Sequence, residues 1–249
     1  MHRSFLALLP LVAACAGPIG ASAQDDERAA FIEANILGIF YHEMGHALID
    51  TMQIPIFGQE EDAADVASVM MMNWFYEEEA AQEIAHFAAF GYLDDPDGEY
   101  ETDYSSIHGP DQQRFFNHVC LFYGANPPER EAFAATLGLP EERAETCPDE
   151  YLQADLAWAG VFERMDALNT DATLSFVPGR GAAADFANTV LEGEVEAMNE
   201  DLVLPVAIEV RVESCDEANA FYDPEEVAVI FCTEYVDHLD WLYESYPGR

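Results

Sequence analysis

The feature that most constrains the fold is the segment 42–46, which reads His-Glu-Met-Gly-His. Residues four positions apart lie on one face of an α-helix, so His42 and His46 can bind a single metal ion. Glu43 lies between them in sequence and points slightly to one side, where it can take a proton from an attacking water. The preceding residues 30–40 contain no proline and carry apolar side chains at helical intervals. The pattern predicts one long helix over residues 26–53 that carries two zinc ligands and a general base.

A second acidic motif lies at the start of the next predicted helix, over residues 60–75, where Glu61 and Asp65 are four positions apart. A site with two histidines needs a third protein ligand, and an acid one turn later can accept the free N–H of a ligand histidine. Glu60 lacks this spacing because Ala64 lies four positions on. We therefore predict Glu61 as the third zinc ligand and Asp65 as the acceptor behind one histidine. The alternative is a solvated acidic helix start that only mimics a ligand motif.

Together, the two motifs resemble the zincin metallopeptidases whose third zinc ligand is a glutamate. More closely, residues 40–50 and 60–65 resemble a family of exported bacterial proteins known only as inferred metallopeptidases of unknown function. The resemblance extends over nearly the whole chain after its leader, through residues 108–117, 139–143, 147–151, 215–220 and 232–235. One departure is Thr233, where the family usually has tyrosine after the last cysteine.

The resemblance also suggests a donor for the negative charge that develops on a substrate oxygen. His108 lies in a matching segment outside the metal motifs, and we take it as the candidate catalytic donor, with Arg114 as the second candidate. The alternative interpretation of His108 is a histidine on a surface loop. His86 and His118 lie on apolar helical faces and are predicted to be packed, whereas His238 is predicted on the surface of the last helix.

Four cysteines remain if Cys15 is removed with a leader or acylated, and they are Cys120, Cys147, Cys215 and Cys232. An even number is typical of an oxidising compartment, and four cysteines allow three pairings. We prefer the pairs 120–147 and 215–232, because each closes a local loop within one of the matching segments. No Cys–His arrangement is indicated, which argues against a cysteine nucleophile.

The first 23 residues have the features of an export signal. Arg3 supplies the positive start, residues 5–14 are apolar but too few to span a membrane as a stable helix, and residues 21–23 (Ala-Ser-Ala) offer a cleavage site. The competing interpretation is a lipoprotein signal with an acylated Cys15 as a lipid anchor. Both predict a periplasmic or secreted protein without a transmembrane segment. We prefer a signal peptide over residues 1–23 and a single domain over residues 24–249.

The charge of the chain is extreme, with 49 acidic residues against 9 basic ones and a formal net charge of −40. This charge argues against nucleic acids and anionic membranes as partners, because both are polyanions. Such acidity is typical of solubility and salt tolerance in an exported protein. The alternative is that an acidic cleft attracts cationic peptides.

Hydrophobic periodicity predicts an α+β, mainly helical fold with a small C-terminal sheet or hairpin. Further helices are expected at 77–92, 111–124, 128–137, 148–167, 182–200 and 233–244, and strands at 174–177, 207–213 and 227–231. In zincins, a small sheet flanks the first metal helix and the substrate binds along its edge strand. The best strands of this chain come late, so we expect the C-terminal segment to fold back and supply that sheet.

Two functional hypotheses follow. In the first, the chain is a zinc-dependent peptidase that acts on peptide or protein substrates outside the cytoplasm, with Zn²⁺ on His42, His46 and Glu61 and with Glu43 as general base. In the second, it is a non-catalytic exported protein with a structural or vestigial zinc site. A structural site usually has a fourth protein ligand, most often cysteine, and no cysteine lies near the motif. That absence favours catalysis.

Overall fold

The computed structural model describes residues 19–93, 102–168 and 170–246, and the predicted mainly helical α+β fold is confirmed. Its helices are α1 (Ile19–Met52), α2 (Glu60–Phe75), α3 (Glu78–Phe90), α4 (Asp111–Ala125), α5 (Pro127–Thr136), α6 (Glu141–Ala144), α7 (Cys147–Asp166), α8 (Ala182–Asp201) and α9 (Glu234–Ser245). Its strands are β1 (Leu174–Val177), β2 (Ile208–Glu213), β3 (Ala220–Asp223) and β4 (Ala228–Cys232). Most of the predicted leader, including Cys15, lies outside the described residues, and residues 19–23 form the start of α1.

Helix α1 is the central element of the fold. It packs against α2, α3, α8 and α9 and also contacts the strands β3 and β4. Its middle part is apolar on several sides, and the side chains that are almost inaccessible there are Phe31, Ile36, Phe40, Tyr41, Met44 and Leu48. A helix buried all round is held by its neighbours on every side. Side chains on this part of α1 are therefore fixed relative to the rest of the protein.

Two glycines allow α2 to approach α1 closely. A Cβ atom on Gly45 would lie 3.0 Å from the Cα of Ala64 and 3.0 Å from the Cβ of Ala67. On the same side of α1, the carbonyl oxygen of Gly38 accepts a hydrogen bond of 2.8 Å from the hydroxyl of Ser68. Small residues at such a contact let two helices pack at short range. The glycine inside the His-Glu-Met-Gly-His segment thus brings the first turn of α2 up to the histidine face of α1.

The four strands form one sheet in the order β1-β2-β4-β3. Strands β1, β2 and β4 are parallel, whereas β3 is antiparallel to β4 and forms one edge. The sheet is thus larger than a C-terminal hairpin, because β1 joins it from before α8. Strand β3 is not among the predicted strands, since its sequence, Ala-Phe-Tyr-Asp, does not alternate between apolar and polar residues. The C-terminal segment does fold back onto the first metal helix, as expected, because both β3 and β4 contact α1.

Two disulfide bonds are present among the residues that the structure describes, and they have the preferred pairing. Cys120 in α4 is bonded to Cys147 at the start of α7, and Cys215 before β3 is bonded to Cys232 at the end of β4. The second bond ties the segment that leads into β3 to the neighbouring strand. None of the helices in the described part of the chain is long and apolar enough to cross a membrane.

Candidate metal centre

Two histidines of α1 and a glutamate of α2 converge on one point. The Nε2 atoms of His42 and His46 are 3.2 Å apart, and Glu61 Oε2 lies 3.2 Å from the first and 3.3 Å from the second. These three atoms form a nearly equilateral triangle. A tetrahedral Zn²⁺ ion with bonds of about 2.0–2.1 Å needs ligand atoms about 3.3–3.4 Å apart. The three residues that the sequence predicts as ligands therefore lie at the separation that a metal ion requires.

The outer nitrogens of both histidines face carboxylates. His42 Nδ1 lies 2.8 Å from Asp65 Oδ1, and His46 Nδ1 lies 2.9 Å from Glu60 Oε1. A carboxylate within 3 Å of Nδ1 favours a proton on that nitrogen by charge attraction, so each ring can turn an unprotonated Nε2 toward the centre. Two nitrogen lone pairs and a carboxylate oxygen would then face one another at about 3 Å. Such an arrangement needs a cation between them, and the donor set therefore fits a metal ion.

The short distances between the histidines and carboxylates also shift their pKa values in the metal-free protein. Burial lowers the pKa of His42, but its contacts with Asp65 and Glu61 outweigh that effect and raise the pKa to about 9. Hydrogen bonds from His108, His42 and His46 hold the pKa of Glu61 far below its usual range. Without a metal ion, protons take the place of the cation at the centre, and they must leave when a metal binds.

Asp65 joins the centre to a partly buried arginine, Arg114. Arg114 of α4 donates two hydrogen bonds of 2.8 Å to the two carboxylate oxygens of Asp65, and its guanidinium stacks 4.7 Å from the ring centre of Tyr92. Burial opposes ionisation of Asp65, but the hydrogen bonds from Arg114 and His42 lower its pKa to about 2. Arg114, the second candidate for an oxyanion donor, therefore binds Asp65 and holds that carboxylate beside Nδ1 of His42.

We expect Asp65→Ala to weaken zinc binding by about 10–100-fold, because His42 loses the group that orients its ring. The same change leaves Arg114 unpaired in a largely buried position, which should destabilise the fold by on the order of 3 kcal/mol. The double variant Asp65→Ala/Arg114→Met removes both charges and separates the two effects. It should regain much of the stability, measured by urea unfolding, but not the zinc affinity, measured by competition with a chromophoric chelator. Unchanged zinc affinity in both variants would show that Asp65 only solvates the start of α2.

Glu43 lies beside the centre and contacts the edge strand of the sheet. Its side chain is buried, and its Oε2 accepts a hydrogen bond of 2.8 Å from the backbone N–H of Tyr222 in β3. Burial raises the pKa of Glu43 above its usual value, despite the two neighbouring histidines. The phenol of Tyr222 donates a further hydrogen bond of 2.9 Å to Asp50, which lies one turn after His46 on α1. Strand β3 is thus fixed to the metal helix at two points.

A groove of about 970 Å³ opens onto the metal-ligand cluster and Glu43. One wall consists of the C-terminal half of α1 and the start of α2, and the opposite wall is the segment 219–224, which contains β3. His108 and its neighbour Ile107 contribute to the rim. The groove therefore runs between the metal helix and the edge of the sheet, where an extended chain could lie.

His108 lies at the centre as well. Its Nε2 is 2.9 Å from Glu61 Oε2, the oxygen that also contacts His42 and His46. The other predicted histidine positions are away from the site. His118 is buried with its Nε2 2.9 Å from the carbonyl oxygen of Ala85, and the ring of His86 packs against aromatic rings of α3 and α5.

Sequence reasoning missed Tyr222 and Asp50 as parts of the site and set Glu60 aside. The four-residue spacing favoured Asp65 because an acid one turn after a ligand can face the same site, and the structure indeed places Asp65 against His42. It gave no reason for Glu60 to face His46, since that contact depends on how α2 packs. The only sequence signal near Tyr222 is the following Asp-Pro pair, which predicts a turn there.

Comparison with known proteins identifies the family. A family model described as "putative metallopeptidase" matches residues 16–162 and 185–247, a range that contains both metal helices, His108 and the strands β2 to β4. No curated protein and no solved structure matches the chain. A metallopeptidase family implies a bound metal and a peptide or protein substrate. Since the matched segments make up well over half of the sequence, the chain belongs to the DUF4344 family, described as "putative metallopeptidase".

Proposed function

We propose that this protein is a zinc-dependent peptidase that acts outside the cytoplasm. The observation that carries the proposal is the convergence of His42, His46 and Glu61 within about 3.3 Å of one another, at a groove that also exposes Glu43. Two imidazoles and one carboxylate are a ligand set of catalytic zinc sites, which leave a further position open. When bound, zinc would supply a Lewis acid that polarises the scissile carbonyl and acidifies water.

Glu43 is the group that moves protons in this proposal. Its carboxylate takes a proton from the water that attacks the carbonyl carbon and returns it to the leaving amine. The hydrogen bond from Tyr222 N–H fixes one oxygen of Glu43 and leaves the other for the water. Burial raises the pKa of Glu43, so the protonated form that must donate to the amine becomes accessible nearer neutral pH.

The substrate is an extended peptide that lies in the groove along β3. Strand β3 is an edge strand, and such strands pair with extended peptides through backbone hydrogen bonds. Since the N–H of Tyr222 is bonded to Glu43, this pairing uses the other backbone groups of β3. Among the described residues that line the groove there is no arginine or lysine, whereas Asp50 and Glu60, which are not proposed metal ligands, contribute negative charge. Peptides with basic or neutral side chains should therefore bind better than acidic ones.

Export is supported by the N-terminal segment and by cysteine usage. The first 23 residues have the charge, apolar stretch and small residues of an export signal. All four cysteines after Cys15 are paired in disulfides, which persist in oxidising compartments. The acylated form with a lipid anchor at Cys15 remains the alternative route of export.

One observation favours a second candidate function, a non-catalytic protein with a structural zinc site. His108 Nε2 lies 2.9 Å from Glu61 Oε2, so a fourth protein ligand is within reach of the centre. A site closed permanently by four protein ligands would have no position for a substrate.

The two functions are separated by metal analysis combined with a cleavage screen. The purified protein should contain about one zinc per chain. It should cleave at least one member of a panel of unfolded proteins, cell-wall peptides and neutral, cationic and anionic peptides. A chelator such as 1,10-phenanthroline should abolish cleavage, and added zinc should restore it. Stoichiometric zinc without cleavage anywhere in the panel would favour the structural site.

A further inference from the structure

One oxygen of Glu61 is surrounded by three imidazole rings. Its Oε2 lies 3.2 Å from His42 Nε2, 3.3 Å from His46 Nε2 and 2.9 Å from His108 Nε2. The metal-binding atoms of His42, Glu61 and His108 all lie within 4.8 Å of one another. Distances near 3 Å between nitrogen and oxygen donors are those found between two ligands of one small metal ion. The 2.9 Å between His108 Nε2 and Glu61 Oε2 is such a distance, so His108 can reach an ion that Glu61 binds.

His108 differs from the other two histidines in how it is held. The side chains of His42 and His46 are 5% and 13% exposed, and they project from a helix buried in the core. The side chain of His108 is 43% exposed, and it lies in a stretch over residues 102–110 that has turns but no helix or strand. It can leave the centre without disturbing the core, because little apolar surface is buried with it.

The contacts of the Nδ1 atoms also distinguish His108 from His42 and His46. Asp65 holds Nδ1 of His42 and Glu60 holds Nδ1 of His46, each at less than 3 Å. Within the part of the chain that the structure describes, no carboxylate lies against Nδ1 of His108 in this way. A partner behind the ring increases the basicity of a ligand histidine and fixes its orientation. His108 should thus be the weakest of the four protein ligands and the first to be displaced.

We infer that His108 is a fourth, exchangeable ligand of the metal site. With His108 in place, the site has four protein ligands and excludes substrate. When a ligand enters the groove and binds the metal, His108 gives way to it, and the site becomes the open one that hydrolysis requires. This inference rests on the proposed peptidase function. It explains why a site with a general base in a groove also has a third histidine, His108, within reach.

The test counts metal-bound histidines directly by ¹⁵N NMR of zinc-loaded protein with labelled histidine. We expect three coordinated Nε2 atoms in the wild type and two in His108→Ala. Addition of acetohydroxamate, a small zinc-binding probe, should release one ring in the wild type, and that ring should be assigned to His108. The matched control His238→Ala removes a histidine of α9 and should leave three coordinated rings.

The affinity for acetohydroxamate gives a second measurement. If the closed state holds about nine tenths of the wild-type molecules, His108→Ala should bind the probe about tenfold more tightly, because no ligand must be displaced. Only two coordinated rings in the wild type, or equal affinities in both proteins, would overturn the inference and return His108 to the role of a donor. Neither measurement uses cleavage, so a protein that never cleaves a peptide would overturn the proposed function and leave this result intact.

Discussion

Glu43→Gln is expected to lose peptide cleavage by about a hundredfold or more while keeping its zinc and its fold, because an amide cannot accept a proton from water and return it to an amine. The two side chains are nearly isosteric, and the amide oxygen can still accept the hydrogen bond from Tyr222 N–H. The contact between β3 and the metal helix should therefore survive. The measurement is kcat/KM on a substrate whose cleavage is chelator-sensitive, together with zinc content by mass spectrometry.

The matched control is Glu33→Gln, which makes the same chemical change on an exposed face of α1 away from the groove. It should cleave as fast as the wild type. Equal cleavage by Glu43→Gln would show that another group takes the proton. Loss of zinc together with loss of activity would instead show that Glu43 is needed to build the site.

Glu61→Ala is expected to reduce zinc affinity by more than Asp65→Ala does. Asp65 contacts a ligand histidine and not the metal, and loss of such a residue lowers affinity by about 10–100-fold. Glu61 supplies the oxygen that both α1 histidines approach within 3.3 Å, so its removal leaves these two histidines on a single helix and, beside them, only the exchangeable His108. Zinc affinity is measured by competition with a chromophoric chelator. Circular dichroism checks that the helices are retained, and Glu61→Gln repeats the test with little change in side-chain volume.

Asp62→Ala is the control for this variant. Asp62 is the next residue on α2 and is exposed, so its removal should leave zinc affinity unchanged. The opposite result, in which Asp62→Ala loses zinc and Glu61→Ala keeps it, would mean that the third ligand has been assigned to the wrong carboxylate.

Local geometry is the part of this protein that its sequence determined. The helical period alone places His42 and His46 on one face, and it also places Asp65 one turn after Glu61. Apolar periodicity predicted α1 and α2 closely, and the three ligands predicted from the sequence lie within these two helices. Predictions from the helical period hold in the folded structure because the spacing of side chains along a helix does not depend on what the helix packs against.

Contacts between distant segments were decided only by the tertiary structure. Tyr222 meets Glu43 across 179 positions of sequence, and Arg114 meets Asp65 across 49. Glu60 faces His46 because Gly45 lets α2 approach α1 closely, although the helical period offered no reason to choose it. Strand β3 is a strand because β4 lies beside it, and its four residues carry no periodic signal. The period of a sequence describes one element at a time, whereas the groove and the position of His108 at the centre arise where several elements meet.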